Sequence, residues 1–141
     1  MKTIFFFNED IIFDLKNKTK IRAILNLLAR EENKNIGRLA YIFCSDEYLL
    51  NINKKYLKHN YLTDVITFDY TNDNEISGDI FISAERVKEN AKTYGQTFFC
   101  ETLRVILHGA LHLCGYKDKT EAEKKQMRAK ENYYLEKYLN I

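Results

Sequence analysis

The chain has 141 residues, 45% of them hydrophobic, with 22 Lys and Arg against 20 Asp and Glu and a formal net charge of +2. That length suits one domain with a real core, and no apolar run reaches the ~18 residues that a membrane span requires. A charge so close to balance argues neither for nor against RNA; a dedicated basic RNA-binding domain usually shows more, so an RNA role needs a local patch.

The first apolar run, Ile4 to Phe7, is followed by Asn8-Glu9-Asp10 and has no small-residue cleavage site after it. It is too short for a signal peptide, so a cytoplasmic protein is expected. The three cysteines, Cys44, Cys100 and Cys114, are odd in number and include no Cys-x-x-Cys pair, which argues against a disulfide framework.

Thr3 to Phe7 is apolar and rich in strand formers, and predicts a first strand. Asn17 to Ala29 predicts a helix, because Ile21, Ile24, Leu25 and Leu28 recur at helical spacing. Lys16, Lys18, Lys20 and Arg22 around it fit a solvated face better than an RNA contact. Gly37 to Ser45 predicts a second strand with few polar positions, hence covered on both faces.

Ser45-Asp46 caps a second helix whose buried stripe is expected at Tyr48, Leu49, Ile52 and Tyr56. Lys54, Lys55 and Lys58 near its end suit the helix dipole, and they also stand close to a phosphate-binding position if a site forms there. Asp64 to Tyr70 and Gly78 to Ser83 predict two strands of a hairpin, joined by the polar turn Thr71 to Glu75.

From Ser83 onward the pattern is helical. Ala84 to Tyr94 ends at Gly95, and Thr97 to Cys114 follows, with Phe98, Leu103, Ile106, Leu107 and Leu111 expected in the core. Thr120-Glu121-Ala122-Glu123 is a capping box that opens a last helix to about Tyr138, with Met127, Tyr134 and Leu135 turned inward. Strands with an interleaved helix, then helices, give an α+β domain spanning residues 1–141: a small mixed four-stranded β-sheet with packed helices.

The chemistry concentrates at His108-Gly-Ala-Leu-His112-Leu-Cys-Gly115-Tyr-Lys-Asp118. A helix turns about 100° per residue, so the two histidines lie on one face and reach one ion. Gly115 readily takes the backbone conformation that ends a helix, which lets the chain double back and bring Asp118 to the same point. Two imidazoles and one carboxylate leave a position open for water, the pattern of a catalytic zinc site. A His-x-x-x-His pair alone is common on amphipathic helices; the glycine and aspartate are what single this one out. Cys114 points to the other side of the helix and is expected to pack. Glu101, a heptad before His108, stands where it could hold an imidazole N–H, although an exposed salt-bridging glutamate is the simpler reading.

HGALHLCGY (108–116) resembles the signature HGxLHLxGYDH of the YbeY family, bacterial metal-dependent endoribonucleases linked to ribosomal RNA maturation. Leu62-Thr-Asp-Val-Ile-Thr-Phe68 and Gly78-Asp-Ile-Phe-Ile-Ser83 resemble two further family blocks, in the same order and at the same spacing. The resemblance implies a mixed sheet with helices and a metal site on the central C-terminal helix. It implies one Zn2+ per chain on His108, His112 and Asp118. It also implies single-strand-specific cleavage of ribosomal RNA in 16S 3′-end maturation and ribosome quality control. The small ribosomal subunit and its proteins are the implied partners; no DNA, membrane or small-molecule cofactor is expected.

Two departures from the family stand out. Asp118 occupies the place of a third histidine, and Leu57 occupies the place of an arginine thought to act on the phosphate. Lys58, His59 and Lys117 are the candidates for the missing cation, with Lys58 and His59 next to the vacated position. The family places the Thr63-Asp64 and Gly78-Asp79 pairs near the cleft, so Thr63 and Asp64 are expected to line the substrate path, Asp79 to have a structural or substrate-lining role, and Lys117 to contact substrate as a candidate cation. A zinc peptidase shares the ligand spacing, but it needs a glutamate directly after the first histidine, and Gly109 cannot move a proton. A non-catalytic assembly factor with a structural metal is the other alternative.

Overall fold

The computed structural model describes residues 3–141. The strands are β1 (Ile4–Asn8), β2 (Asn35–Cys44), β3 (Val65–Asp69) and β4 (Glu75–Ser83). The helices are α1 (Lys18–Glu31), α2 (Asp46–Leu57), α3 (Ala84–Thr93), α4 (Phe98–Leu113) and α5 (Glu121–Leu139). The four strands form one mixed sheet in the order β1-β2-β4-β3. β1 and β4 both run parallel to β2, and β3 pairs antiparallel with β4. The α+β class and the hairpin expected from the sequence are therefore present.

Strand alternation divides the interior in two. Leu39, Tyr41 and Phe43 of β2, with Ile76, Ile80 and Ile82 of β4, face a large core closed by α1, α3, α4 and α5. Cys44 of β2 and Ile66 of β3 turn to the other face, where α2 covers them with Leu49. This two-sided cover is why β2 is almost continuously apolar.

Several expected boundaries and burials shift. β4 begins at Glu75 rather than Gly78, because an Asn72–Glu75 bridge tightens the turn. β2 begins at Asn35 rather than Gly37, where it pairs with Glu75 of the lengthened β4. Tyr56 is exposed rather than part of the buried stripe, since α2 contributes its last turn to the rim of a cleft. Phe98 is also exposed, standing at the solvent end of α4. No helix among the described residues is long and apolar enough to cross a membrane.

Candidate metal centre

α4 carries the centre, and the core fixes its position. Thr97 caps its first turn by accepting from the Cys100 N–H. Leu103, Ile106, Leu107 and Leu111 are buried along one side, as expected. The helix approaches β4 so closely that a Cβ on Gly109 would stand 2.9 Å from both Ile80 Cδ1 and Cγ2. Glycine next to His108 is thus a packing requirement. The buried Tyr41 hydroxyl of β2 donates to the Ile106 carbonyl at 2.9 Å, tying helix to sheet two residues before the first histidine. Burial chiefly pushes that phenol's pKa up, so it stays a neutral donor.

Gly115, at φ 109, ends the helix as expected. Its N–H bonds to the His112 carbonyl, and the Tyr116 N–H reaches back to Leu111. The Tyr116 hydroxyl then donates to Glu32 at 2.7 Å, so the returning loop is anchored to the end of α1. The Thr120–Glu123 capping box starts α5 as expected, and Asp118 lies in the short span between these two fixed points.

The result is a convergence of three donors. Asp118 Oδ2 stands 3.2 Å from His108 Nε2 and 3.5 Å from His112 Nε2. These are the described residues whose ligand atoms could hold a metal ion together. Donors bound at about 2.0–2.1 Å to a tetrahedral ion stand roughly 3.3 Å apart, so the spacing fits a divalent cation. The chemistry of the donors fits as well. His108 Nδ1 is hydrogen-bonded to Glu131 Oε2 at 2.7 Å, which assigns the Nδ1 proton and leaves the Nε2 lone pair facing the Asp118 oxygen. Two lone pairs at that distance require a cation between them, either a proton or a metal. Burial disfavours the imidazolium, but the Glu131 hydrogen bond and charge outweigh it and hold the His108 pKa above the usual histidine value.

Glu131 is the site residue that the sequence reading missed. It is buried on α5 and also accepts from Arg104 at 3.0 Å, so its charge is balanced. Glu101, the heptad candidate, does not hold the imidazole and is not exposed. It is buried, and burial raises its pKa against the opposing Arg104 charge. The signal for Glu131 was weak: it sits four residues after the core residue Met127, on the inward stripe of α5. Cys114 packs against the core, with its thiol pushed up to about 12 chiefly by burial, and takes no part in the cluster.

A cleft of about 870 Å³ opens over the three donors. Of the residues expected to act on substrate, His59, Thr63 and Asp64 line it. Burial raises the Asp64 pKa, opposed by the nearby His108 charge and a 3.3 Å hydrogen bond from Asn90. Lys58 and Lys117 are exposed and outside the lining. Asp79 lies on the sheet face turned away from α4, paired with Arg38 at 3.4 Å. The cations that do line the cleft are Arg104, Lys119, Lys124 and Arg128. Leu57 is exposed on its rim.

The sequence model of the YbeY family, described as Endoribonuclease YbeY, matches residues 4–139. The chain belongs to the YbeY endoribonuclease family. It is 53% identical to Endoribonuclease YbeY of Cytophaga hutchinsonii over 135 residues, covering 95% of this chain and 94% of that relative. It is 52% identical to Endoribonuclease YbeY of Flavobacterium johnsoniae over 126 residues, covering 89% and 91%. The solution structure of TM1509 from Thermotoga maritima superposes with a TM-score of 0.69 at 26% identity, covering 97% of this chain and 89% of that one. YbeY proteins are hydrolases of RNA.

Proposed function

We propose that this chain, acting as one domain, is a cytoplasmic, zinc-dependent endoribonuclease of single-stranded ribosomal RNA. The observation that carries the reading is the convergence of His108 Nε2, His112 Nε2 and Asp118 Oδ2 beneath an open cleft. One Zn2+ held by these three would supply a Lewis acid and a water of lowered pKa.

The chain's own residues do the rest. Glu131 fixes the orientation and tautomer of His108, and Arg104 balances the glutamate's charge. Asp118 brings a negative charge where the family has a neutral imidazole, which favours harder divalent ions more than three histidines would. Lys119, Lys124 and Arg128 place cations in a cleft that also carries Asp64, Asp69, Glu101, Asp118 and Glu131, and would contact the phosphate backbone. They take over the attraction that an arginine at Leu57 would provide, with His59 at the rim and Lys58 and Lys117 beyond the lining as further contacts.

Family membership supports the biological setting: maturation of the 16S ribosomal RNA 3′ end, with the small ribosomal subunit and its proteins as partners, and ribosome quality control. The test is cleavage of a precursor ribosomal RNA fragment by purified protein beside a His112→Ala variant shown to be folded. Cutting by the wild type alone is the expected result. Equal cutting by both, or by neither, overturns the reading.

A further inference from the structure

The wall of the cleft near Leu57 carries the aromatic rings of His59 and Tyr61. α2 ends at Lys58 in the left-handed conformation, φ 57. The His59 N–H then turns back to the Asn53 carbonyl at 3.1 Å. The Asn53 side chain is buried, and its Nδ2 donates to the Tyr61 carbonyl at 3.0 Å. The loop that carries both rings is therefore tied to α2 at two points.

The rings are also tied to each other. His59 and Tyr61 are stacked with centroids 5.1 Å apart and planes 21° from parallel, and the Tyr61 hydroxyl is hydrogen-bonded to His59 Nδ1 at 2.8 Å. Tyr61 nevertheless remains 55% exposed. One side of its ring is supported by the imidazole and the other is open. A second aromatic, Tyr94, closes α3 on a separate wall of the same cleft and is 63% exposed. Neither tyrosine contributes to the core, so packing does not account for them.

A preorganised ring with one free face, in a cleft that also holds cationic side chains, suits a planar base attached to a polyanion. A base inside a duplex has both faces covered and offers nothing to such a ring. Resting on the endoribonuclease reading above, we infer that the His59–Tyr61 pair is a base-stacking subsite for one unpaired nucleobase of the RNA strand, with Tyr94 as a second stacking surface in the same cleft. The subsite acts in substrate binding and selects single strands. Lys124 and Arg128 of α5 hold the phosphates, and the aromatic wall holds a base.

The test uses a short single-stranded oligoribonucleotide, with an abasic residue placed at each position in turn, and fluorescence anisotropy to measure affinity. At one position the abasic residue should weaken wild-type binding about tenfold, the scale of a lost aromatic–base stack. Tyr61→Leu should weaken binding of the intact strand by a similar factor and should be indifferent to the abasic residue at that position. Tyr61→Phe, which keeps the ring, should recover most of the affinity. In cleavage the Leu variant should lose through KM more than through kcat. Tyr61 is exposed, so circular dichroism should show both variants folded. Wild-type affinity in Tyr61→Leu, or an abasic penalty that persists undiminished in that variant at every position, overturns the subsite while leaving the nuclease reading intact. A wild type that neither binds nor cuts RNA overturns both.

Discussion

The floor and the rim of the cleft are built on opposite terms. The floor is over-determined. His108 and His112 ride on a helix pressed against β4 at Gly109, tied to β2 by Tyr41, and ended by Gly115 in a loop anchored at Glu32. The rim comes from the exposed end of α2, the loop into β3, the end of α3 and the outer face of α5. It is held by a few hydrogen bonds, and its exposed side chains, Leu57 among them, are free to vary. Substitution in the floor should therefore abolish function or stability, whereas substitution in the rim should retune binding.

The largest effect that comparison predicts is at the donors themselves. His112→Ala should lower cleavage by about a thousandfold or more, the several kcal/mol that a bound ion contributes to a transition state. The fold should persist, because His112 is only partly buried. Single-turnover cleavage beside a circular dichroism spectrum checks both halves. Next comes Glu131→Gln, which should weaken metal affinity about 10- to 100-fold, the usual loss when the partner of a ligating imidazole is impaired; calorimetric titration with Zn2+ measures it. An unchanged affinity would detach α5 from the floor.

Gly109→Val tests the packing of the floor without touching a donor. The new side chain meets buried Ile80, and overpacking of this kind costs about 1–3 kcal/mol. Denaturant unfolding should show the loss. The smallest effect concerns the anchor of the loop. Burial works against the Glu32 carboxylate, but hydrogen bonds from Tyr116, Tyr134 and Lys130 outweigh it and hold its pKa below the ordinary value. A carboxylate with a lowered folded pKa stabilises the protein above its unfolded pKa, about 4.3, and loses that contribution as pH falls through the folded value. Thermal melts should therefore show Glu32→Gln less stable than wild type near neutrality, with the gap narrowing below about pH 4.

The floor was largely legible in the sequence because local rules specify it. Helical spacing put His108 and His112 on one face, Gly115 ended the helix, and the capping box at Thr120 started the next. The α+β class followed from period and turn chemistry in the same way. What stayed hidden depended on tertiary packing. Glu131 meets His108 only because α5 folds across α4, 23 residues later. Heptad spacing left Glu101 as a possible partner on the same helix, but two turns of α4, about 10.5 Å, separate it from His108, and Glu131 makes the bond instead. The rim cations were hidden for the same reason. Lys58 and Lys117 are near the site in sequence but do not line the cleft, whereas Lys124 and Arg128 are brought to it by the packing of α5 on α4. Asp79 shows the reverse case: strand alternation alone sends it to the face away from α4.

The central claim is that His108, His112 and Asp118 together hold one divalent ion on which RNA cleavage depends. The most direct test measures metal content and cleavage of a single-stranded RNA on the same samples: wild type, chelator-stripped wild type, stripped wild type with Zn2+ restored, and Asp118→Ala. The account predicts one ion per chain in the wild type, loss of cleavage on stripping, recovery on restoration, and neither stable metal nor cleavage in Asp118→Ala. Full cleavage by the stripped protein, or an Asp118→Ala variant that keeps both its ion and its activity, would contradict it.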